Sequence, residues 1–107
     1  MTGSEYQVLA ARTISVITRT DMLMESAMGL AGESGECVDI IKKTKFQNHV
    51  LDSEHLIEEL GDVLWYIAEA ATAIGCDIDY IMQVNIEKLK KRYPNGFDSE
   101  HSINREI

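Results

Sequence analysis

The architecture of this chain follows from residues 53–75, whose sequence is SEHLIEELGDVLWYIAEAATAIG. The apolar residues of this segment recur every three or four positions, which is the spacing of one face of an α-helix. They are Leu56, Leu60, Val63, Leu64, Ile67, Ala71 and Ile74. Ser53 marks the beginning of this helix and Gly75 its end, since glycine readily adopts the backbone conformation that terminates a helix. We therefore predict a long amphipathic helix here.

The same periodicity predicts two helices before this segment. The first covers residues 4–18 with Ser4 as its N-cap. A looser stretch at residues 20–28 leads into the second helix, which reaches residue 45. Residues 46–52 are polar and form the connection to the long third helix.

A fourth helix follows the segment, capped by Asp77 and stopped by Pro94, which is the only proline of the chain. Residues 97–107 are expected to form an irregular tail. Four helices with short links predict an all-α, four-helix bundle-like subunit that forms one domain over residues 1–107.

Composition excludes several classes of protein. The 107 residues include 10 Lys+Arg and 18 Asp+Glu, a net charge of −8, so binding to a nucleic acid polymer is not expected. No stretch approaches the roughly 18 consecutive apolar residues of a membrane span, and no basic segment precedes an apolar run at the N-terminus. The two cysteines, Cys37 and Cys76, form no CxxC unit, which favours a reducing cytoplasm over a zinc or disulfide framework.

Two pairs of acids have matching positions on the second and third helices. Glu33 and Glu36 are three residues apart, as are Glu59 and Asp62. On ideal helices, Glu33 and Glu59 fall within or at the edge of the apolar face, with the second acid of each pair about 60° away. If the two helices pack antiparallel, the four carboxylates face one another at the rim of the core.

Such an arrangement requires cations or protons. Partly desolvated carboxylates repel one another and lose hydration, so the folded chain must protonate some of them or place cations among them. Hard divalent ions prefer oxygen ligands, and the cluster contains no histidine or cysteine. We therefore expect Mg²⁺, with Mn²⁺ as a substitute. Either pair of acids alone would more often lie on an ordinary solvated helix surface.

Polar and basic side chains that suit a phosphate or sugar lie nearby in the predicted bundle. Asn85 falls within the apolar face of the fourth helix, with Lys88 and Arg92 on the same side. Asn85 could instead form a hydrogen bond between helices, and the two cations could form surface ion pairs. Lys43 extends from the second helix below Glu36, with an ion pair to Asp39, four residues before it, as the alternative.

The two aromatic residues that follow Asp62 have different expected roles. Trp65 is expected in the core, as is usual for aromatic residues in a helical bundle. Tyr66 lies on the acidic side of the helix and is a candidate contact for a base or sugar. The three histidines, His49, His55 and His101, show no partner pattern and receive no role.

The chain resembles the MazG-like all-α nucleotide pyrophosphohydrolases over residues 28–97. The resemblance is carried by four segments in the family's order: GLAGESGE at 29–36, Asp39 with Lys42-Lys43, EELGDVLWY at 58–66, and Asn85 through Gly96-Phe97. The family signature is an ExxE pair followed by an ExxD pair, and all four acids are present here. Residues before 28 match the family more loosely.

The resemblance implies hydrolysis of a nucleoside or deoxynucleoside triphosphate between the α- and β-phosphates, as in nucleotide-pool housecleaning. It implies that four acids bind Mg²⁺, that one of two glutamates activates the water, and that polar side chains of the second and fourth helices contact ribose or phosphate. The metal ligands are Glu33, Glu36, Glu59 and Asp62, the water-activating candidates are Glu33 and Glu36, and the substrate contacts are Lys43, Asn85, Lys88 and Arg92. Family members form dimers or tetramers with sites near subunit interfaces, so self-association is expected.

Three alternatives remain open. A di-iron carboxylate bundle needs Glu-x-x-His pairs, whereas the i+3 positions here are Glu36 and Asp62. A non-catalytic acidic helical module that binds a partner protein would place its acids on fully solvated faces. A phosphoribosyl-ATP pyrophosphatase has a related architecture, but the motifs are more similar to the MazG-type members.

Overall fold

The computed structural model describes residues 1–105 and is built of helices, which confirms the all-α prediction. The five helices are α1 Gly3–Ala11, α2 Arg19–Phe46, α3 Ser53–Ile74, α4 Ile78–Arg92 and α5 Ser99–Ile103. Each described helix is too short or too polar to cross a lipid bilayer.

Short polar side chains at the helix ends explain where the elements begin and stop. Gly75 has φ 79° and ends α3, and Asp77 caps α4, both as predicted. The predicted cap of α1, Ser4, is wrong by two positions, because Thr2 accepts from the backbone N–H of Glu5 in a reciprocal capping box. The predicted beginning of α3 at Ser53 is confirmed, and Asp52 is its N-cap.

The predicted end of the first helix, residue 18, is wrong. The Thr13 hydroxyl donates to the carbonyl oxygen of Ala10 at 2.8 Å, and the Thr13 backbone N–H donates to the same oxygen. This tightened turn ends α1. Thr18 then accepts from the backbone N–H of Asp21 and caps α2, so the supposedly looser residues 20–28 form its first turns.

The C-terminal tail is also more regular than expected. Residues 97–107 were predicted to be irregular, but Asp98 accepts from the backbone N–H of His101 and starts α5. Only the last part of that prediction, residues 106–107, lies outside the described residues.

The helices α2 and α3 form an antiparallel pair, and α1 lies along α3. The buried core where α1, α3 and α4 meet consists of Ala10, Ala68 and Ile78, with Tyr6, Trp65 and Ile67 packed against it. Small alanines let the helix backbones approach closely, and the Trp65 indole N–H donates to the Thr13 hydroxyl at 2.8 Å. The prediction that Trp65 belongs to the core is confirmed.

The beginning of α4 is fixed by the Gln7 side chain of α1. Its amide nitrogen donates to the carbonyl oxygen of Cys76 at 2.9 Å, and its amide oxygen accepts from the backbone N–H of Ile78 at 2.8 Å. Beyond this anchor α4 is largely exposed, including the apolar side chains of Met82 and Leu89. Most of the fourth helix therefore lacks a packing partner within the described part of one chain.

Gly29 is a position of close contact between α2 and α3. A Cβ atom there would lie 2.2–2.4 Å from three ring atoms of Tyr66, whereas a Cβ at Gly35 meets nothing within 4 Å. Alanine in place of an exposed helical glycine stabilises by up to about 1 kcal/mol. We expect G35A to raise the melting temperature and G29A to lower it, because Tyr66 must move. Equal melting temperatures in the two variants would contradict the contact.

Candidate active site

Three of the four signature acids meet where α2 faces the first half of α3. One carboxylate oxygen from each of Glu33, Glu59 and Asp62 lies within 4.8 Å of the other two. The acids come together because the i, i+3 spacing on α3 and the single acid on α2 place them on facing surfaces of an antiparallel pair. Three convergent carboxylate oxygens form the donor set that hard divalent ions prefer.

The electrostatics of this cluster centre on Glu33. Hydrogen bonding to Glu59, burial and the neighbouring negative charges together raise the pKa of Glu33 to about 7, since a neutral carboxyl avoids repulsion and can donate. Its Oε2 atom is buried and has no hydrogen-bond partner among residues 1–105. An unsatisfied buried acceptor surrounded by carboxylates is the environment that a cation would stabilise.

His55 supports the cluster from one turn earlier on α3. Its Nε2 atom lies 3.1 Å from Oε1 of Glu59, which is largely buried. This contact orients Glu59, as outer hydrogen bonds commonly do for metal-binding carboxylates. No role was predicted for His55, although its i, i+4 spacing from Glu59 is a signal that could have indicated this contact.

Glu36 lies outside the group of three. It is exposed, and its charge contributes to raising the pKa of Glu33. It lines a neighbouring pocket of about 160 Å³ between the end of α2 and the start of α3, together with Lys43 and His55. Lys43 is held in that pocket by the i, i+4 ion pair, with its Nζ 2.9 Å from Asp39.

Tyr66 lies beside the acid cluster on α3. Its ring covers Gly29 and meets Trp65 edge-on, with ring centroids 5.0 Å apart. Burial, followed by the charge of Glu33, raises the pKa of the Tyr66 hydroxyl. An aromatic surface next to the acid cluster is suited to a sugar or base, so the role predicted for Tyr66 stays a prediction.

The predicted substrate contacts on α4 are not brought to the cluster within one chain. Asn85 and Lys88 are exposed, and no hydrogen bond or ion pair among residues 1–105 joins either to the acids. Arg92 is half-buried, with its guanidinium 6.0 Å from the centroid of the Tyr93 ring. Asn85 and Lys88 extend from the part of α4 that is exposed within residues 1–105.

Comparison with known proteins agrees with this arrangement. Residues 23–97 match the MazG nucleotide pyrophosphohydrolase domain. The chain belongs to the MazG family. It is 35% identical over 82 residues to the Gene 37 protein of Mycobacterium phage L5, an alignment that spans 73% of this chain and 72% of the phage protein. No solved structure matches with comparable significance.

The MazG match begins after α1, yet α1 contributes to the surroundings of the site. Burial and the charge of Asp62 raise the pKa of the Tyr6 hydroxyl, which places this phenol within electrostatic reach of the acids. No site role was predicted for Tyr6. Its hydroxyl could not be placed from periodicity, because the crossing of α1 over α3 is a tertiary feature.

A second acid pair lies two turns from the cluster within the MazG domain. Glu69 is 1% exposed, and neither of its carboxylate oxygens has a hydrogen-bond donor among residues 1–105. Burial, followed by hydrogen bonding to Glu25 and the charge of Glu25, raises the pKa of Glu69 to about 7. Burial next to a second acid therefore favours the neutral form of the Glu69 carboxyl group. The sequence analysis did not single out either residue.

This second pair predicts how stability depends on pH. Because the pKa of Glu69 rises from 4.5 to about 7 on folding, the folded state holds the proton more tightly and its stability falls as pH rises through that interval. In the presence of EDTA, the melting temperature of the wild type should fall between pH 5 and pH 8. The melting temperature of E69Q should fall several degrees less than that of the wild type over the same pH range. A change of about 1 kcal/mol in unfolding free energy shifts the melting temperature of a domain of this size by roughly 4–8 °C.

The matched control for this measurement is E58Q, which changes an exposed acid on the same helix. It should follow the wild type at both pH values. Parallel curves for the wild type and E69Q would contradict the burial of an acid at this position.

Proposed function

We propose that this chain is a Mg²⁺-dependent nucleoside triphosphate pyrophosphohydrolase that cleaves between the α- and β-phosphates of ribo- or deoxyribonucleotides. The single observation that carries the proposal is the convergence of three carboxylate oxygens within 4.8 Å, from Glu33, Glu59 and Asp62. Membership of the MazG family supports the same reaction class. The products are a nucleoside monophosphate and pyrophosphate, and removal of surplus or damaged nucleotides is the biological role that we infer.

The donor set of the cluster fits Mg²⁺. The cluster offers only carboxylate oxygens as ligands, and one of them, Oε2 of Glu33, is buried without a hydrogen-bond partner among residues 1–105. This donor set suits a hard cation better than zinc or iron. Glu33, Glu59 and Asp62 would hold the ion, with Glu36 beside them as the fourth ligand. When bound, Mg²⁺ would neutralise part of the phosphate charge and would orient the substrate and the attacking water.

The remaining functions belong to side chains of this chain. Either Glu33 or Glu36 accepts the proton of the attacking water, and Tyr66 contacts the nucleoside. Lys43 lies beside Glu36 in the adjoining pocket and exchanges its ion pair with Asp39 for a phosphate oxygen. The cations of α4 reach the phosphates from another subunit, because α4 leaves the site within its own chain.

A second copy of the chain is therefore part of the proposal. The radius of gyration is 16.7 Å, compared with about 13 Å for a compact domain of similar length. A shallow apolar groove of about 440 Å³ on α2 is lined by Val38, Ile41 and Phe46 among others. The exposed apolar side chains of α4, such as Met82, supply a complementary surface. A dimer or a pair of dimers would cover both the groove on α2 and the exposed apolar side chains of α4.

Self-association can be tested by one charge in the groove. Val38 is 64% exposed in the single chain, so V38E should change the stability of a monomer little. The same charge should disrupt an assembly that buries this side chain. Light scattering after size exclusion should show a dimer or tetramer for the wild type and a smaller species for V38E. V50E is the control, since Val50 is 92% exposed and lies outside the groove. A monomeric wild type would contradict this part of the proposal.

The alternative of a non-catalytic acidic module is less consistent with the site. That module would have its acids on fully solvated faces, whereas Glu59 is largely buried and Glu33 has a buried oxygen. Both cysteines are free thiols, in keeping with the reducing cytoplasm that we propose as the location of the protein.

Substitution of the cluster acids tests the reaction. E59Q and D62N should reduce Mg²⁺-dependent pyrophosphate release to background while leaving the fold intact or more stable, because each removes one negative charge from a repulsive group. EDTA should stop the reaction of the wild type. Pyrophosphate and orthophosphate should be measured separately over a panel of ribo- and deoxyribonucleotides.

The control variant is E58Q, which removes the exposed neighbouring acid and should retain activity. Mg²⁺ should raise the melting temperature of the wild type and E58Q but raise that of E59Q much less. Normal turnover in E59Q or D62N, or activity in excess EDTA, would overturn the assignment.

A further inference from the structure

The helix α2 carries a second apolar stripe, on the side opposite to its buried residues Ser26 and Ile40. The members of this outer stripe are Met24, Met28, Ala31, Gly35 and Val38, all of them exposed. They recur at alternating intervals of four and three positions, which is the spacing of a coiled-coil seam. Met24, Met28 and Val38 are 58%, 72% and 64% exposed. A helix with apolar residues on two sides needs a packing partner on each side, and α3 covers one of them.

Opposite charges occupy the two ends of the outer stripe. The same spacing reaches Asp21 before the stripe and Lys42 and Lys45 after it, and all three side chains are exposed. Lys42 has an ion pair with Asp39 of its own helix, at 3.3 Å. Two parallel copies of α2 in register would bring Asp21 against Asp21 and lysines against lysines. Antiparallel copies instead bring the acidic start of one helix to the basic end of the other, so the charges favour an antiparallel pair.

One antiparallel register pairs the whole stripe with itself. It is obtained when residue 33 of each copy lies at the two-fold axis, because positions at equal distances before and after residue 33 are then level with each other. The level pairs are Asp21 with Lys45, Met24 with Lys42, Met28 with Val38, and Ala31 with Gly35. The small central pair lets the two helix backbones approach closely, and a Cβ at Gly35 meets nothing within 4 Å in the single chain. The stripe is therefore self-complementary in size and in charge.

We propose that two copies of the chain associate through the outer stripe of α2, as an antiparallel helix pair centred on residue 33. The inference rests on the proposed function, because it names the surface and the orientation of the self-association proposed there. The acid cluster lies on the opposite side of α2, so each copy keeps its own α2–α3 site. The helix α4 takes no part in this pairing, which leaves its exposed apolar side chains for a second interface in a pair of dimers.

Cysteine cross-linking tests both the surface and the orientation. The double variant M28C/V38C is made in a chain that also carries C37S and C76S, so that the native thiols are absent. Antiparallel pairing brings position 28 of one copy level with position 38 of the other, so mild oxidation should shift most of the chain to a dimer band on a non-reducing denaturing gel. Within one copy the two positions are about 15 Å apart along the helix, beyond the roughly 7 Å between Cα atoms that a disulfide spans.

The single variants M28C and V38C in the same background are the matched controls. In the antiparallel register, the two copies of either cysteine are about 15 Å apart along the pair, so neither single variant should form the dimer band. V50C, at a position that is 92% exposed and lies outside α2, measures cross-linking by random collision. Thermal melting of each reduced variant shows that it is folded.

The outcomes separate this inference from the proposed function. If light scattering shows a dimer or tetramer but M28C/V38C does not cross-link above V50C, pairing through the outer stripe is overturned. Cross-linking of M28C alone as readily as of the double variant would overturn the antiparallel orientation. A monomeric wild type would overturn the self-association as a whole. Pyrophosphate release is measured independently, so its absence in the wild type would instead count against the proposed reaction and leave the pairing of α2 standing.

Discussion

Electrostatic repulsion between the carboxylates of Glu33, Glu59 and Asp62 is the constraint on which this structure depends. Three acids whose oxygens converge within 4.8 Å would separate if the chain were free to relax. They stay together because α2 and α3 are packed as an antiparallel pair, with the Tyr66 ring against Gly29. The energy of helix packing thus maintains a group of acids that is unfavourable without protons or a cation.

The helices could be predicted where apolar periodicity and end signals agree, and not where capping depends on side-chain geometry. The segment 53–75 has a regular apolar face and a terminal glycine, so α3 was located to within one residue. The end of α1 depends on the Thr13 hydroxyl, and the start of α2 depends on Thr18. Threonine is favoured at caps and turns but also occurs within helices, and this stretch contains several threonines, so apolar periodicity did not show which of them end or begin a helix.

The candidate site was predictable to the extent that it follows from helical phase. Three of the acids converge because their phases match, and Tyr66 shares their side of α3. Phase does not reveal which polar side chains pair with each other. The burial of Glu69 depends on how the helices pack together, whereas the contact of His55 with Glu59 lies within α3 and follows from its i, i+4 spacing.

The distribution of positive charge has a further consequence for the site. Within residues 1–105, the lysines that form ion pairs are Lys42 and Lys43, and both are bound to Asp39 and not to the acid cluster. A phosphate substrate brings more negative charge to a site whose own side chains are already negative. Divalent cations can supply part of the compensation. In the proposed assembly, the basic end of α4 of a second copy would supply more. Burial of the exposed apolar faces would then coincide with completion of the proposed phosphate site.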